Sequence, residues 1–574
     1  MLGSWGPGCW GAEVLRCRTS AVLLLCGALI AVAAARQARP AVPSPPGAPP
    51  RLLVFLTIDQ FRADYISSYG HRWTKGLRRL LDGGAVYTNA RYPYALTFTC
   101  AGHATIGTGA MPYVHGMATN TFYDRATQRQ GSCSLDADVT PVGFGDAAIK
   151  DAHGPGSLRA PTFVQLLRAQ AETPPQVVSI AAKPRSAIAV VGRGGPGTVV
   201  VWEDEATATW TTSTAYTVTR GRDVDQFVRA RPRANDYGQT WDRRLPVNAY
   251  LHEDDMPGEG QPTPWKRPFP HRLDSPTGKP DATFAAAWRR SPWVDAFVVD
   301  LALHLMNTRR LGTASSRTDV LALSLLSLDS IGHEFGPRSH ELQDVLIRLD
   351  EQIARLIDAL DRQVGRGRYV IALSSDHGVG DVPEQLAAGG QTDTGRVSTT
   401  ELRNNVNAAV EAILGEKREK GSWAPDVLEQ QLVLAPGVYS RLRAIPGALD
   451  QVKAAIVKTR GVAGAYSADE LGSSAPTADP RLQQWRLSYV ADRMADFAIV
   501  QRPGWLIRST SGATHGSPHP YDQHVPLVLY GGNIRPAKFN TAASPADIAP
   551  TFAWLTRVRM PQAQGRPLTE GFRR

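Results

Sequence analysis

LLVFLTID, Leu52 to Asp59, is an unbroken apolar run that closes on a carboxylate. Such a run suits a strand covered on both faces, as in a parallel sheet, where neither side meets water. Two later segments repeat the pattern: Val320 to Leu328 closes on Asp329, and Tyr369 to Ser375 closes on Asp376. Helical spacing falls between them, amphipathic over Trp293 to Met306 and again over Leu342 to Leu360. Alternating strands and helices predict an α/β domain with a mostly parallel central sheet sandwiched by helices. Val177 to Ala182 and Val525 to Tyr530 read as further strands, and SPADIAPTFAWL near the C-terminus as a helix.

Open α/β sheets bind ligands at the carboxyl ends of their strands, where Asp59, Asp329 and Asp376 fall. His333 follows Asp329 by four residues, so one helical turn puts both on one face. His377 follows Asp376 directly, and THGSPHPYDQH carries His515, His519 and His524 ahead of the last strand. Carboxylate oxygen and imidazole nitrogen are zinc ligands. Taken singly, each Asp serves equally well as a helix cap and each His as a core residue. Six candidates (Asp59, Asp329, His333, Asp376, His377, His515) are too many for one tetrahedral ion with an open position; they predict two metals about 4 Å apart.

TFTCAGHATIGTG, Thr97 to Gly109, places Thr99 where a helix begins. A helix N-terminus suits an anion, and a hydroxyl there can cap the helix or attack a phosphate or sulfate ester. Asn120, in HGMATN, is a possible donor to such an anion. Lys183-Pro184-Arg185 follows a strand; proline disfavours helix at the preceding residue, so the segment reads as extended, which lets both cations face one pocket, and a solvated charged turn is the other reading.

The 574 residues carry a net charge of +10 that is spread along the chain, with no long Lys/Arg block. Anionic partners are favoured in general, and a nucleic-acid partner is not expected. Arg16 and Arg18 precede an apolar run, Ala21 to Ala35, ending in small residues: a secretory leader over 1–35, with an uncleaved anchor as the alternative. A Pro-rich linker occupies 36–50. A catalytic domain fills 51–574, with a cap insertion at about 192–292, off the main sheet, and a small α+β subdomain at about 395–495. After the leader only Cys100 and Cys133 remain; export permits a disulfide, and two separate buried thiols are the other reading.

Taken together, LTIDQFRADY, TFTCAGHATIGTG, HGMATN, KPR, SLDSIGHEFGP, SSDHG and THGS with YDQHVP resemble the alkaline phosphatase superfamily. The likeness is to threonine-nucleophile bacterial alkaline phosphatases of the nucleotide pyrophosphatase/phosphodiesterase branch, and it spans Leu52 to about Leu568. The resemblance implies an alkaline-phosphatase-like fold, two Zn²⁺ ions, and Thr99 as a nucleophile that becomes phosphorylated. Asp59, Asp376 and His377, with Thr99 itself, resemble the ligands of the zinc that activates it. Asp329, His333 and His515 resemble those of the other zinc, with His524 a second candidate for the last place. Asn120 is similar to a donor to a non-bridging phosphate oxygen. The Lys183 and Arg185 pair resembles that of monoesterases, which implies small phosphorylated substrates; the leader over 1–35 predicts an exported, periplasmic or secreted enzyme. A phosphodiesterase or nucleotide pyrophosphatase on the same scaffold is the alternative, and a non-catalytic envelope binding protein a third reading. A sulfatase is disfavoured because Cys100 lacks a C-x-P-x-R context, and a lipid phosphoethanolamine transferase because only one apolar segment has membrane character.

Overall fold

The computed structural model describes residues 1–4, 44–45, 47–125, 127–144, 148–266, 268–508 and 510–573. The leader expected over 1–35 and the start of the linker over 36–50 fall, apart from residues 1–4, outside the described residues. Pro45 to Arg574 form one compact unit. Among the described residues no helix is long and apolar enough to cross a membrane.

Ten strands make the central sheet. In spatial order they are Ala537–Phe539, Ala85–Tyr87, Leu527–Gly531, Tyr369–Ser374, Leu52–Ile58, Asp319–Leu325, Val177–Ala181, Thr198–Asp204, Thr209–Ser213 and Pro141–Gly143. The five strands from Tyr369–Ser374 through Thr198–Asp204 run parallel, and antiparallel strands flank them on both sides. Every residue of Leu52–Ile58 is buried, as its unbroken apolar run requires. Its side chains alternate between two cores: Leu52, Val54, Leu56 and Ile58 join one, Leu53 and Phe55 the other. The helices Pro292–Thr308 and His340–Gln363 cover the first face. Pro184–Val191 and Ile548–Thr556 cover the second.

Register fixes the edge at which the strands end. Ile58 pairs with Leu325, Thr57 with Ser374, and Ser324 with Ala181. The chain therefore leaves all four strands at one level, and Asp59, Leu326, Ser375 and Ala182 emerge side by side.

Two expectations change in detail. Pro292–Thr308 is buried on several faces, by Val294, Phe297, Val298, Val299, Leu301, Ala302, Leu305 and Met306, and so is not simply amphipathic. Helices Arg222–Ala230 and Ala282–Arg289 cover the face it would otherwise turn to water. The segment 192–292 does not lie wholly off the sheet, because Thr198–Asp204 and Thr209–Ser213 extend it. Val199, Val200, Val201 and Trp202 give that stretch strand character. The material near 395–495 builds its own four-stranded antiparallel sheet, Asp426–Leu428, Gln431–Val433, Phe497–Gln501 and Val462–Ser467, over a separate core that includes Val406, Leu432, Val452 and Phe497.

The helix Thr99–Thr108 reaches the edge through glycine. A Cβ on Gly102 would lie 2.2 Å from the Asp376 carbonyl oxygen and 2.6 Å from its Cα, and one on Gly107 would lie 2.5 Å from the Val190 carbonyl. Backbone meets backbone at both places, so no side chain can yield. Gly102→Ala is expected to cost about 1–3 kcal/mol by overpacking and to remove activity by pushing Thr99 away. Gly464→Ala, whose Cβ meets Val500 only at 3.9 Å, is the control. Thermal melts and turnover of both variants check this; a stable, active Gly102→Ala would refute it.

Candidate functional site

Thr99 is the first residue of its helix, with Phe98 at the cap position and no side-chain capping bond. The cap reading of Thr99 therefore fails, and its hydroxyl is left for other partners. It lies buried, with Oγ1 3.4 Å from His377 Nε2. The same Nε2 is 3.4 Å from Asp59 Oδ1 and 3.4 Å from Asp376 Oδ2. Both carboxylate oxygens are fully buried; Asp59 Oδ1 makes no hydrogen bond, and Asp376 Oδ2 has His103 Nδ1 at 3.2 Å. A tetrahedral ion with bonds of about 2.0–2.1 Å has ligand–ligand edges of about 3.3 Å. Buried anionic oxygens at that spacing fit a cation between them.

A second group adjoins it. Asp329 Oδ1 is 3.2 Å from His333 Nε2 and 3.9 Å from His515 Nε2. Asp329, His333 and His515 offer ligand atoms that all lie within 4.8 Å of one another, and so do Asp59, Asp329 and His377. Asp329 thus belongs to both groups. The strand before it ends at Leu325, and Asp329 lies in the first turn of the helix Ser327–Glu334. The i, i+4 spacing to His333 is a helical one.

The imidazoles are held in one tautomer. Nδ1 of His333, His377 and His515 faces the carbonyls of Ala513, Gly378 and Thr97, at 3.0, 2.9 and 2.9 Å. A carbonyl only accepts, so Nδ1 carries the hydrogen and the Nε2 lone pair points into the site. Burial holds His377 and His515 below their ordinary range, further for His515 because His377 and His333 adjoin it. Neutral imidazoles are the form that binds a metal.

Charge is concentrated here. Burial, with Asp329 and Asp376 adding to it, pushes the Asp59 carboxyl well above the usual carboxylate range, and Lys183 offsets only part. Burial also opposes ionisation of Asp329, but Lys183 and then His333 outweigh it and hold that carboxyl low. Lys183 Nζ sits 2.7 Å from Asp59 Oδ2 and 2.6 Å from Asp329 Oδ2.

Lys183, Arg185, Thr99, Asn120, Asp329, His333 and His515 line one cavity of about 290 Å³, with Arg289 and Arg290 on its wall. Lys183 is extended, but the helix Pro184–Val191 starts at the next residue, so the extended reading of Lys-Pro-Arg stops there. Proline disfavours helix before itself yet suits the first helical position, which leaves Arg185 in the first turn. Both cations still reach the cavity. Asn120 Oδ1 accepts the Cys100 N–H at 3.0 Å, which turns its amide N–H₂ elsewhere. Cys100 and Cys133 are joined by a disulfide. His524 stands apart: its Nε2 bonds to the Thr88 carbonyl, and it lines another cavity with Arg62 and Asp64.

Sequence reasoning missed Gln60 and His103. Gln60 has φ 67°, donates from Nε2 to Asp329 Oδ1 at 2.8 Å and from its backbone N–H to Asp376 Oδ1 at 3.2 Å, and so ties two strand ends together. A Cβ on Gly332 would fall 1.7 Å from its Oε1, so that glycine makes room for it. His103 reaches Thr99 O and Ser324 Oγ, with Nδ1 3.2 Å from Asp376 Oδ2. Its four-residue offset from Thr99 was the available signal.

The model of the family described as type I phosphodiesterase/nucleotide pyrophosphatase matches residues 53–522. The chain is 30% identical to alkaline phosphatase PafA of Elizabethkingia meningoseptica over 528 residues, 91% of this chain and 94% of that protein. It is 28% identical to alkaline phosphatase PhoV of Synechococcus elongatus over 96% of this chain and 98% of that one. The crystal structure of a PafA variant, substituted at a threonine, an asparagine, a lysine and an arginine, superposes with a TM-score of 0.81 at 28% identity, covering 93% of this chain and all of that one.

If the buried carboxylates await a cation, metal-stripped protein carries their repulsion. Zn²⁺ at about a thousand times its dissociation constant should then stabilise it by about 4 kcal/mol. Asp59→Asn should melt higher than wild type when stripped and lose most of that gain. Calorimetric melts with and without Zn²⁺ test both; an unchanged zinc response in Asp59→Asn would remove Asp59 from the ligand set.

Proposed function

Because the chain belongs to the type I phosphodiesterase/nucleotide pyrophosphatase family, we propose that it is an exported alkaline phosphatase that hydrolyses phosphate monoesters through a covalent phosphothreonine at Thr99. One observation carries this reading: the Thr99 hydroxyl lies 3.4 Å from the same His377 Nε2 that the buried Asp59 and Asp376 carboxylates adjoin, in the cavity that Lys183 and Arg185 also line. The substituted residues of the PafA variant support it. They are Thr, Asn, Lys and Arg, the order of Thr99, Asn120, Lys183 and Arg185 here, with Lys and Arg two apart in both chains.

Two zinc ions, one held by Asp59, Thr99, Asp376 and His377 and one by Asp329, His333 and His515, would lower the pKa of the Thr99 hydroxyl and neutralise the leaving oxygen. Thr99 Oγ1 attacks phosphorus, a P–O bond forms, and the bond to the ester oxygen breaks. Water then attacks the phosphothreonine, releasing inorganic phosphate and restoring the hydroxyl. Asn120 Oδ1 accepts the Cys100 N–H, which keeps its N–H₂ for a non-bridging phosphate oxygen. Lys183 and Arg185 set the substrate class. A monoester brings about two negative charges and three non-bridging oxygens, and a diester one charge and a second organic group. Two cations in a dry pocket favour the former through charge-assisted hydrogen bonds. The leader-like N-terminus and the Cys100–Cys133 disulfide support export.

Thr99→Ala is expected to reduce kcat by at least about 10³-fold with the fold retained by circular dichroism. Lys183→Ala and Arg185→Ala should each lower kcat/KM for a nitrophenyl monoester by about 10–100-fold, the worth of one hydrogen bond to a charged group, and spare the diester. Wild type that turns over the diester faster, with both variants leaving the monoester rate intact, would make the chain a diesterase instead.

A further inference from the structure

The hairpin joining Asp426–Leu428 to Gln431–Val433 turns at Glu429 and Gln430. Two-residue turns place glycine, asparagine or aspartate where φ is positive. Here Glu429 takes φ 57°. A large side chain held in that region persists only where its surroundings over-determine it, and such residues gather at functional sites.

The surroundings of Glu429 are catalytic ones. Its Oε1 accepts the Thr121 N–H at 3.3 Å, and the Asn120 backbone N–H faces the same carboxylate. Its Oε2 is buried without a hydrogen-bond partner, and so is Nε of Arg185. Burial pushes the Glu429 carboxyl up to about 8; the Thr121 N–H and then the Arg185 guanidinium oppose that rise. Arg185 and Asn120 line the same cavity, and Glu429 Oε2 and Arg185 Nε, both buried, are left as an acceptor and a donor to satisfy. The neighbouring Gln430 Nε2 donates to the His515 carbonyl at 3.2 Å, so the turn is seated against the site from two sides.

We propose that Glu429 is a positioning residue: from the tip of the subdomain hairpin its carboxylate holds the Arg185 guanidinium and the Asn120–Thr121 backbone in the arrangement that grips a dianionic phosphate. The proposal rests on the phosphomonoesterase reading above. Glu429 itself touches no substrate. Arg185 has a long side chain with many rotamers, and immobilising it beforehand leaves less ordering to be done when phosphate binds. The small subdomain then serves the chemistry by carrying this one carboxylate.

A double-mutant cycle tests it, at pH 9, where the carboxyl is ionised. Wild type, Glu429→Gln, Arg185→Ala and the double variant are assayed on p-nitrophenyl phosphate and on bis(p-nitrophenyl) phosphate, with inorganic phosphate as inhibitor. Glu429→Gln is expected to lower monoester kcat/KM about 10-fold, to weaken phosphate inhibition by a similar factor, and to change the diester less than about 2-fold. In the Arg185→Ala background the same substitution should cost less than about 3-fold. Glu429→Gly relieves the strained turn, so it should melt no lower than wild type while losing the same activity. Equal losses on both substrates and in both backgrounds, or full activity in Glu429→Gly, would overturn the proposal. Failure of the monoesterase reading is seen separately, in the substrate preference of the wild type.

Discussion

Three carboxylates are buried within one small volume, and the rest of the molecule is arranged to tolerate them. Asp59, Asp329 and Asp376 are almost wholly removed from water, and one ammonium, Lys183, reaches two of them. Isolated charges in such surroundings are costly unless paired. Asp59, Asp329, His333, His377 and His515 offer the atoms that could hold a metal ion there. On the function proposed above, Lys183, Arg185 and two divalent ions would stand against three carboxylates and a deprotonated Thr99, leaving two positive charges. That is the charge a phosphate dianion would cancel, in keeping with the proposed substrate.

The sheet makes this concentration possible. Parallel strands in register deliver their C-terminal residues to one edge, and each segment that carries a candidate site residue departs from that edge by a different local device. Asp59 leaves directly, and Gln60 takes φ 67° to turn the chain. Asp329 and His333 use a helical turn. Asp376 and His377 use an irregular segment anchored by Ser375, whose Oγ accepts the Phe61 N–H and donates to the His377 carbonyl. Thr99 arrives on a helix whose Gly102 lets two backbones touch. His515 comes on a loop tied to Thr97 and Gln430. None of these bonds is strong singly; together they leave the imidazole lone pairs and carboxylate oxygens no direction but inward.

Strand periodicity and composition made the sheet and the acids at its edge legible. LLVFLTID carries no polar residue that could face water before Thr57, so its burial followed from the letters alone. The boundary at 192 was drawn too early because a Gly- and Pro-rich turn, Gly192 to Gly197, precedes a β-branched strand that still belongs to the sheet. The Lys-Pro-Arg conformation was half legible: proline's effect on the preceding residue is local, while its preference for a first helical turn depends on the apolar stretch beyond. Gln60 and Glu429 were not legible. Each owes its place to a positive φ and to partners more than 250 residues away in sequence, which no local pattern records.

Rigidity around Thr99 comes from outside the ligand set. Asn120 is fixed at both ends of its residue: its carbonyl accepts the Cys133 N–H at 2.9 Å, and its side-chain oxygen accepts the Cys100 N–H. The Cys100–Cys133 disulfide therefore clamps the two backbones that Asn120 already bridges. A cross-link over a separation of 33 residues removes about 3–4 kcal/mol of chain entropy from the unfolded state. Its structural effect is more local. Thr99 stands one residue before Cys100, and Asn120 is hydrogen-bonded to both cysteines. Relative motion of Thr99 and Asn120 is thus limited by a covalent bond on one side and by the Glu429 turn on the other. Preorganisation of this kind places the reorganisation cost in folding and not in turnover, which is where electrostatic catalysis needs it.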